Sequence, residues 1–241
     1  MDRALYAAAS GMAAQQLNLD VIANNLANAD VAGFKGSAPS FTELAAPGET
    51  GLGTMPLGEH VLFAQGRLSS ATGSFDVAID GPGFFAVVDD RGHRAYTRDG
   101  EFSRAGDGTL RNAGGQKLLG LRIPSDALSA SVAEDGRAIV VTAHGRREVG
   151  RIRLAEFEAP EHLRSVGGTL FEATQASGRA RFVDAGGSGP HIRFGMLEES
   201  NVSIIEAMMS MLAAQRAYEA DAKGVQAADE MLRIANNLQR G

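Results

Sequence analysis

Near its start the chain reads Asn18-Leu19-Asp20-Val21-Ile22-Ala23-Asn24-Asn25-Leu26-Ala27-Asn28, and the spacing of its apolar residues decides the fold. Extended back to the start, Leu5, Ala8, Met12, Leu19, Ile22 and Leu26 recur at alternating steps of three and four residues, with Gln15 as the polar break. That is a seam by which helices pack along one another. Residues 1–30 hold no proline and one glycine, Gly11, so the spacing predicts a helix about 40 Å long at 1.5 Å per residue. Ile22 and Leu26 lie on the seam. Asn24 and Asn25 lie off it, where their amides are placed to bond a neighbouring chain or to cap the helix exit. The letters Ile-Ala-Asn-Asn-Leu recur at Ile234–Leu238. There the apolar residues fall on a different stripe, and we read the repetition as coincidence.

Outward from this stretch the texture changes twice. Between Asp30 and Gly66 glycine and proline recur and no period survives, which predicts an extended, largely irregular connector. From Arg67 to Arg193 short apolar runs, such as Asp76-Val77-Ala78-Ile79, Phe84-Phe85-Ala86-Val87-Val88 and Ala138-Ile139-Val140-Val141-Thr142, alternate with turn signals. Asp-Gly pairs at 80–81, 99–100, 107–108 and 135–136 are candidates for tight hairpins, so antiparallel strands are expected. From Gly195 helical texture returns, with Ser200 or Asn201 as the candidate N-cap and Glu206 in the first turn. One seam there runs Ile204, Met208, Met211, Gln215, Tyr218, Ala222, Val225 and Leu232. A second, mostly small stripe runs Ala213, Ala217, Ala220, Gly224, Ala227, Met231, Ile234 and Leu238. A helix serving one core needs a single apolar face, and this one carries two.

Composition removes several classes of function. The 241 residues carry a net charge of −6, which gives no electrostatic grip on nucleic acid or acidic lipid. No cysteine is present, so disulfides and thiolate chemistry are excluded. Positive charge is nearly all arginine; the lysines are Lys35, Lys117 and Lys223, and we read the bias as compositional. No stretch approaches a membrane span, and the N-terminus lacks the apolar core of a cleavable signal peptide. Gly81-Pro82-Gly83-Phe84-Phe85-Ala86 mimics a dinucleotide fingerprint, but strand-like residues follow where that motif needs a helix. The five histidines, His60, His93, His144, His162 and His191, show no ligand spacing. Adjacent acids at Asp89-Asp90 and Glu198-Glu199 read as solvated surface. No catalytic residue, metal site or cofactor is assigned. The pattern favours assembly over catalysis.

The residues also carry a resemblance. The stretch from Asn18 to Asn28 with Gly33-Phe34-Lys35, the segment Asp76–Phe85 with Tyr96-Thr97-Arg98-Asp99-Gly100, and the C-terminal Glu199-Ser200-Asn201-Val202 and Gln215-Arg216-Ala217-Tyr218-Glu219 resemble, in order, the signatures of the bacterial flagellar rod and hook proteins. The resemblance implies a non-enzymatic axial subunit of the basal body, exported through the flagellar type III channel without a cleavable signal peptide. It implies helical self-polymerisation with the terminal helices inside and the β domain outside, as drive shaft and export conduit. Its partners would be further copies of itself, other rod and hook proteins and the export apparatus, with no nucleic acid and no membrane insertion. Gly83-Phe84-Phe85, Gln215–Glu219 and Met231-Leu232 look more like the distal-rod type. Met1-Asp2-Arg3 and the short segment between Phe41 and Gln65 look more like the proximal-rod type. The distal type is favoured. A secreted β-domain adhesin or binding module with helical oligomerisation termini is the alternative.

The expectation is therefore an α+β chain with a coiled-coil-like layer of terminal helices and a central antiparallel β-rich domain. Its parts are the N-terminal helix 1–30, connector 31–66, β domain 67–194 and C-terminal helix 195–241. The expected assembly interface comprises Leu5, Met12, Leu19, Ile22, Asn24, Asn25, Leu26 and Asn28 from the first helix. From the second it takes Ile204, Met208, Met211, Gln215, Tyr218, Val225 and Leu232. Leu5, Met12, Leu19, Ile22 and Leu26 are expected to meet the second helix's bulky seam, leaving its small stripe for a neighbour.

Overall fold

A computed structural model describes residues 2–44 and 53–238, with the side chains of 2–5, 232 and 235–238 outside that description. The chain is α+β and divides into two compact units. The first comprises Met1–Ala29, Ser37–Leu62 and Val202–Gly241, and the second Asp30–Gly36 and Phe63–Asn201.

In the first unit helix α1 spans Asp2–Ala27, and a hairpin joins β1, Ser37–Glu43, to β2, Thr54–Val61. Helix α2 spans Ile204–Leu238. The hairpin lies in what the sequence presents as irregular connector. Pro39 and Pro56 hide the strand pattern, but a two-stranded ribbon has edges where a missing N–H is tolerated. Ser37 faces Val61 and Glu43 faces Thr54, with a register shift between Ser40 and Phe41. Helix α1 packs against α2 and against both strands, so it needs buried residues on more than one line; Ala14, Val21 and Ile22 are its most buried. Gly11 admits α2 closely, because a Cβ there would stand 2.9 Å from Asp221 Oδ2. Asn28 ends α1 by donating its Nδ2 to the Asn24 carbonyl at 2.8 Å. The N-cap of α2 is Ser203, whose Oγ accepts the Glu206 N–H at 3.4 Å. Ser200 and Asn201, the sequence candidates, lie too early for it.

The second unit is antiparallel. Its largest sheet runs Arg164–Gly167, Leu170–Glu172, Arg94–Thr97, Phe84–Val88, Lys117–Arg122, Thr109–Arg111 and Ser103–Arg104. Arg153–Glu156 pairs with the start of Phe84–Val88 and with Arg181–Asp184. Ser129–Val132, Arg137–Thr142 and Gly145–Arg151 form a three-stranded sheet. Val77–Asp80 pairs with His191–Phe194, and Leu68–Ser70 with Met196–Glu198. Between these sheets Ile79, Phe85, Val87, Leu110, Val140, Ile152 and Leu154 form one buried cluster.

Of the four Asp-Gly pairs, two close hairpins. Gly108 and Gly136 both take φ of 81°, and Asp107 and Asp135 accept backbone N–H groups two residues on. Asp80-Gly81 and Asp99-Gly100 instead carry the chain between strands that do not pair with each other. The strand Phe84–Val88 follows the Gly81–Gly83 turn, so the fingerprint-like glycines open no helix.

Phe85 is fully buried and packs edge-on against Phe102 at 5.7 Å. Phe85→Ala should lower unfolding stability by about 3–5 kcal/mol, read by denaturant titration of the full chain. An unchanged midpoint would place the core elsewhere.

Candidate assembly surface and its anchor

The surface is built on α2. Its residues turned to α1 follow Ala207, Met211, Ala214, Ala217, Asp221, Val225 and Ala228, and of these Ala214 and Ala228 are buried. This inner line is mostly small, so the helices approach through alanine. Ala213, Ala220, Gly224 and Ala227 of the small stripe are exposed, so the expected arrangement is corrected only for the bulky seam, which turns inward in part. Met211 and Val225 are half-buried, and Tyr218 is 37% exposed. Ile204, Met208 and Gln215 are exposed. From α1, Ile22 is buried, Met12, Leu19, Leu26, Asn25 and Asn28 are half-buried, and Asn24 is exposed. The side chains of Leu5 and Leu232 lie outside the described residues.

The inward alanines leave the bulky residues on the far side. Ile204, Ile205, Met208, Met209 and Leu212 are exposed by 42, 72, 54, 60 and 57%. Their spacing places them side by side over the first three turns of α2. Farther along, the same side carries Arg216, Glu219 and Lys223, so the apolar patch is confined to 204–212. Isolated apolar side chains are ordinary on a surface, but five contiguous ones on one helix face mark a contact site. On the hairpin Phe41, Met55 and Leu57 are exposed as well.

The hairpin is fastened to α1 through backbone mimicry. Asn25 donates Nδ2 to the Ser37 carbonyl at 2.7 Å and accepts the Ser37 N–H on Oδ1 at 2.9 Å. Ser10 Oγ accepts the Thr54 N–H at 3.1 Å. Asn25 therefore serves its own chain, and Asn28 caps the helix, whereas Asn24 contributes only its carbonyl to that cap.

In the second unit the segments leading towards the helices are gathered around one carboxylate, Glu198, whose side chain is fully buried. Lys35 Nζ donates to Glu198 Oε1 at 2.5 Å and to the Ala64 carbonyl at 2.7 Å. The Gly66 N–H reaches Oε1 at 2.9 Å and Arg98 Nη1 reaches Oε2 at 3.1 Å. The Glu198 carbonyl accepts the Gly33 N–H at 2.7 Å. Asn201 Oδ1 accepts the Gly36 N–H at 2.8 Å, and its Nδ2 donates to Ala64 at 3.1 Å. Arg98 also donates Nη2 to the Gly81 carbonyl at 2.9 Å and stacks 5.4 Å over Phe84. Gly33 is required here: at φ of 67°, a Cβ would lie 2.2 Å from the Asp99 nitrogen. Burial pulls the Lys35 ammonium and the Arg98 guanidinium below their ordinary ranges, and Glu198 opposes both shifts.

Reading Glu198-Glu199 as solvated surface is thus wrong for Glu198 and right for Glu199, which is exposed on the opposite side and pairs with Arg67 at 2.9 Å. Alternation at the end of the strand Met196–Glu198 sends the two side chains opposite ways. No spacing in the sequence marks Glu198, because its two cations come from the distant Gly33-Phe34-Lys35 and Tyr96–Gly100 segments.

Comparison with known proteins matches three family models: flagella basal body rod protein over residues 5–35, flagellar hook protein FlgE/F/G D1 domain over 78–141, and flagellar basal body rod FlgEFG protein C-terminal over 194–238. The flagellar basal-body rod protein FlgG of Borreliella burgdorferi is 39% identical, with 100% of each chain covered. That of Bacillus subtilis is 32% identical, also over 100% of each. The flagellar basal-body rod protein FlgF of Caulobacter vibrioides is 34% identical over 98% of this chain and 97% of its own.

Two measurements check the anchor. Glu198→Gln leaves two buried cations facing a neutral amide and should cost about 3–5 kcal/mol, while Glu199→Gln leaves the midpoint unchanged; equal effects would contradict the assignment. Burial also pushes the Asp99 carboxyl up to about 6, with the Glu101 N–H opposing and the Glu101 and Asp76 carboxylates adding to the rise. A raised folded-state value stabilises below the ordinary 3.8 and loses that contribution as pH climbs through about 6. Asp99→Asn should therefore gain stability relative to the parent between pH 4 and 7, by no more than about 3 kcal/mol. Parallel pH curves for the two would refute this.

Proposed function

Because the chain belongs to the flagellar basal-body rod protein family and is a structural component of the flagellum, we propose that it polymerises helically into the rod through its terminal helices. The family assembles with other rod and hook proteins. In this reading α1 and α2 of adjacent copies pack in a coiled-coil-like inner tube, and the β-rich unit lies outside it. The tube acts as drive shaft between motor and hook and as conduit for subunits exported later. The subunit itself leaves through the export apparatus; among the described residues no helix is long and apolar enough to cross a membrane. The distal-rod type is favoured, supported by Gly83-Phe84-Phe85, Gln215–Glu219 and Met231-Leu232 and by the FlgG relatives.

One observation carries the proposal: the protomer covers the alanine line of α2 and leaves Ile204, Ile205, Met208, Met209 and Leu212 open. Burying a side chain of that size against another subunit is worth roughly 1.5–3 kcal/mol. Isolated helices are marginal in water, so further packing partners are expected for α1 and α2. The remaining proposed interface residues, Met12, Leu19, Ile22 and Leu26 with Met211, Tyr218 and Val225, then hold the helix pair that presents this face.

Ile205→Asp and Leu212→Asp should each raise the concentration needed for self-association at least about tenfold, read by sedimentation velocity. Unfolding of the β-rich unit should stay at the parental midpoint. Parental self-association by both variants would remove α2 from the interface.

A further inference from the structure

With no cysteine in the chain, its oxidisable sulfur is all methionine. Met208 and Met209 lie next to each other in the open patch, 54 and 60% exposed, between Ile205 and Leu212. Met211, two residues on, is half-buried on the side turned to α1. A thioether is soft and apolar and packs into irregular hydrophobic contacts, whereas its sulfoxide is polar. The same two residues therefore supply contact area in one state and unmatched dipoles in the other.

We propose that Met208 and Met209 are an oxidation site through which hydrogen peroxide, or a two-electron oxidant of that class, blocks self-association of the unassembled subunit. The inference rests on α2 being the assembly surface. A sulfur lone pair attacks one peroxide oxygen, forming the S–O bond as the O–O bond breaks. The departing hydroxide takes up the remaining proton and leaves as water, so sulfur loses two electrons and peroxide gains them. Methionine sulfoxide reductase reverses the change with a dithiol as reductant, the sulfoxide oxygen leaving as water while the dithiol becomes a disulfide. Both residues are more than half exposed in the protomer, while a second copy seated on the patch would withdraw them from solvent. The site is thus open before assembly and closed after it. Met231 is also exposed, but it lies between Glu230 and Arg233, which pair at 2.8 Å, and outside the 204–212 patch. Met55 lies on the hairpin.

The test treats the purified full chain with hydrogen peroxide, locates sulfoxides by peptide mass spectrometry and follows self-association by sedimentation velocity. Oxidation at 208 and 209 should raise the concentration needed for association at least about tenfold, and methionine sulfoxide reductase should restore it. The volume-conserving double variant Met208→Leu, Met209→Leu should show the same association with and without peroxide, whatever its own untreated level. Peroxide weakening that variant as much as the parent overturns the site while leaving the assembly reading intact. So does normal association of protein fully oxidised at both positions. Failure of the untreated parent to associate at any concentration overturns the assembly reading, and the site with it.

Discussion

The buried Glu198 carboxylate is the constraint on which the rest of the molecule depends. Its side chain accepts from Lys35, Gly66 and Arg98, and its carbonyl takes the Gly33 N–H. These donors come from residues 30–36, 63–66 and the Arg94–Thr97 strand end, three separate stretches of the second unit. Two of them, with the 196–201 stretch itself, are where the chain leaves that unit for the hairpin and for both helices. A buried ion pair adds little net stability over an apolar replacement. Its effect here lies in arrangement: Lys35, Gly66 and Arg98 fit one carboxylate only when all the segments are in register. Gly33 and Gly66 permit that approach, since a Cβ on either would stand within 2.2 Å of backbone atoms of the neighbouring segment. The Phe63, Phe84 and Phe171 rings pack together 5.0–6.2 Å apart, and Arg98 lies over the Phe84 ring.

The helical unit divides its labour by side-chain size. Alanines at 207, 214 and 228 bring α2 close to α1, and Gly11 makes room for Asp221. Large residues are thereby displaced to the outside of α2, where they stay largely exposed in the protomer. Asn25 and Ser10 hold the hairpin to α1 by hydrogen bonds to backbone groups, a fastening that consumes little apolar surface. What remains exposed is available to another chain.

Much of this was legible in the sequence. Proline-free runs with helical spacing gave both long helices, and the β-rich texture between them is borne out by antiparallel sheets. The hairpin was hidden by Pro39, Pro56 and Gly58, which break the alternation that identifies strands but are tolerated in a two-stranded ribbon. The bulky seam of α2 turns inward only in part, because the line of closest contact runs through Ala214 and Ala228, which belong to neither expected stripe. Glu198 was missed for a different reason. Its cations are 163 and 100 residues away, a separation at which neither spacing nor composition carries a signal, and only folding brings them to one carboxylate.

The central claim is that copies of this chain join through the open face of α2. A helical reconstruction of the assembled polymer by electron cryomicroscopy tests it most directly. The expected map buries Ile204, Ile205, Met208, Met209 and Leu212 against helices of an adjacent subunit, with the β-rich unit outermost. A map in which 204–212 face solvent, with subunits joined only through the β-rich units, would contradict the account.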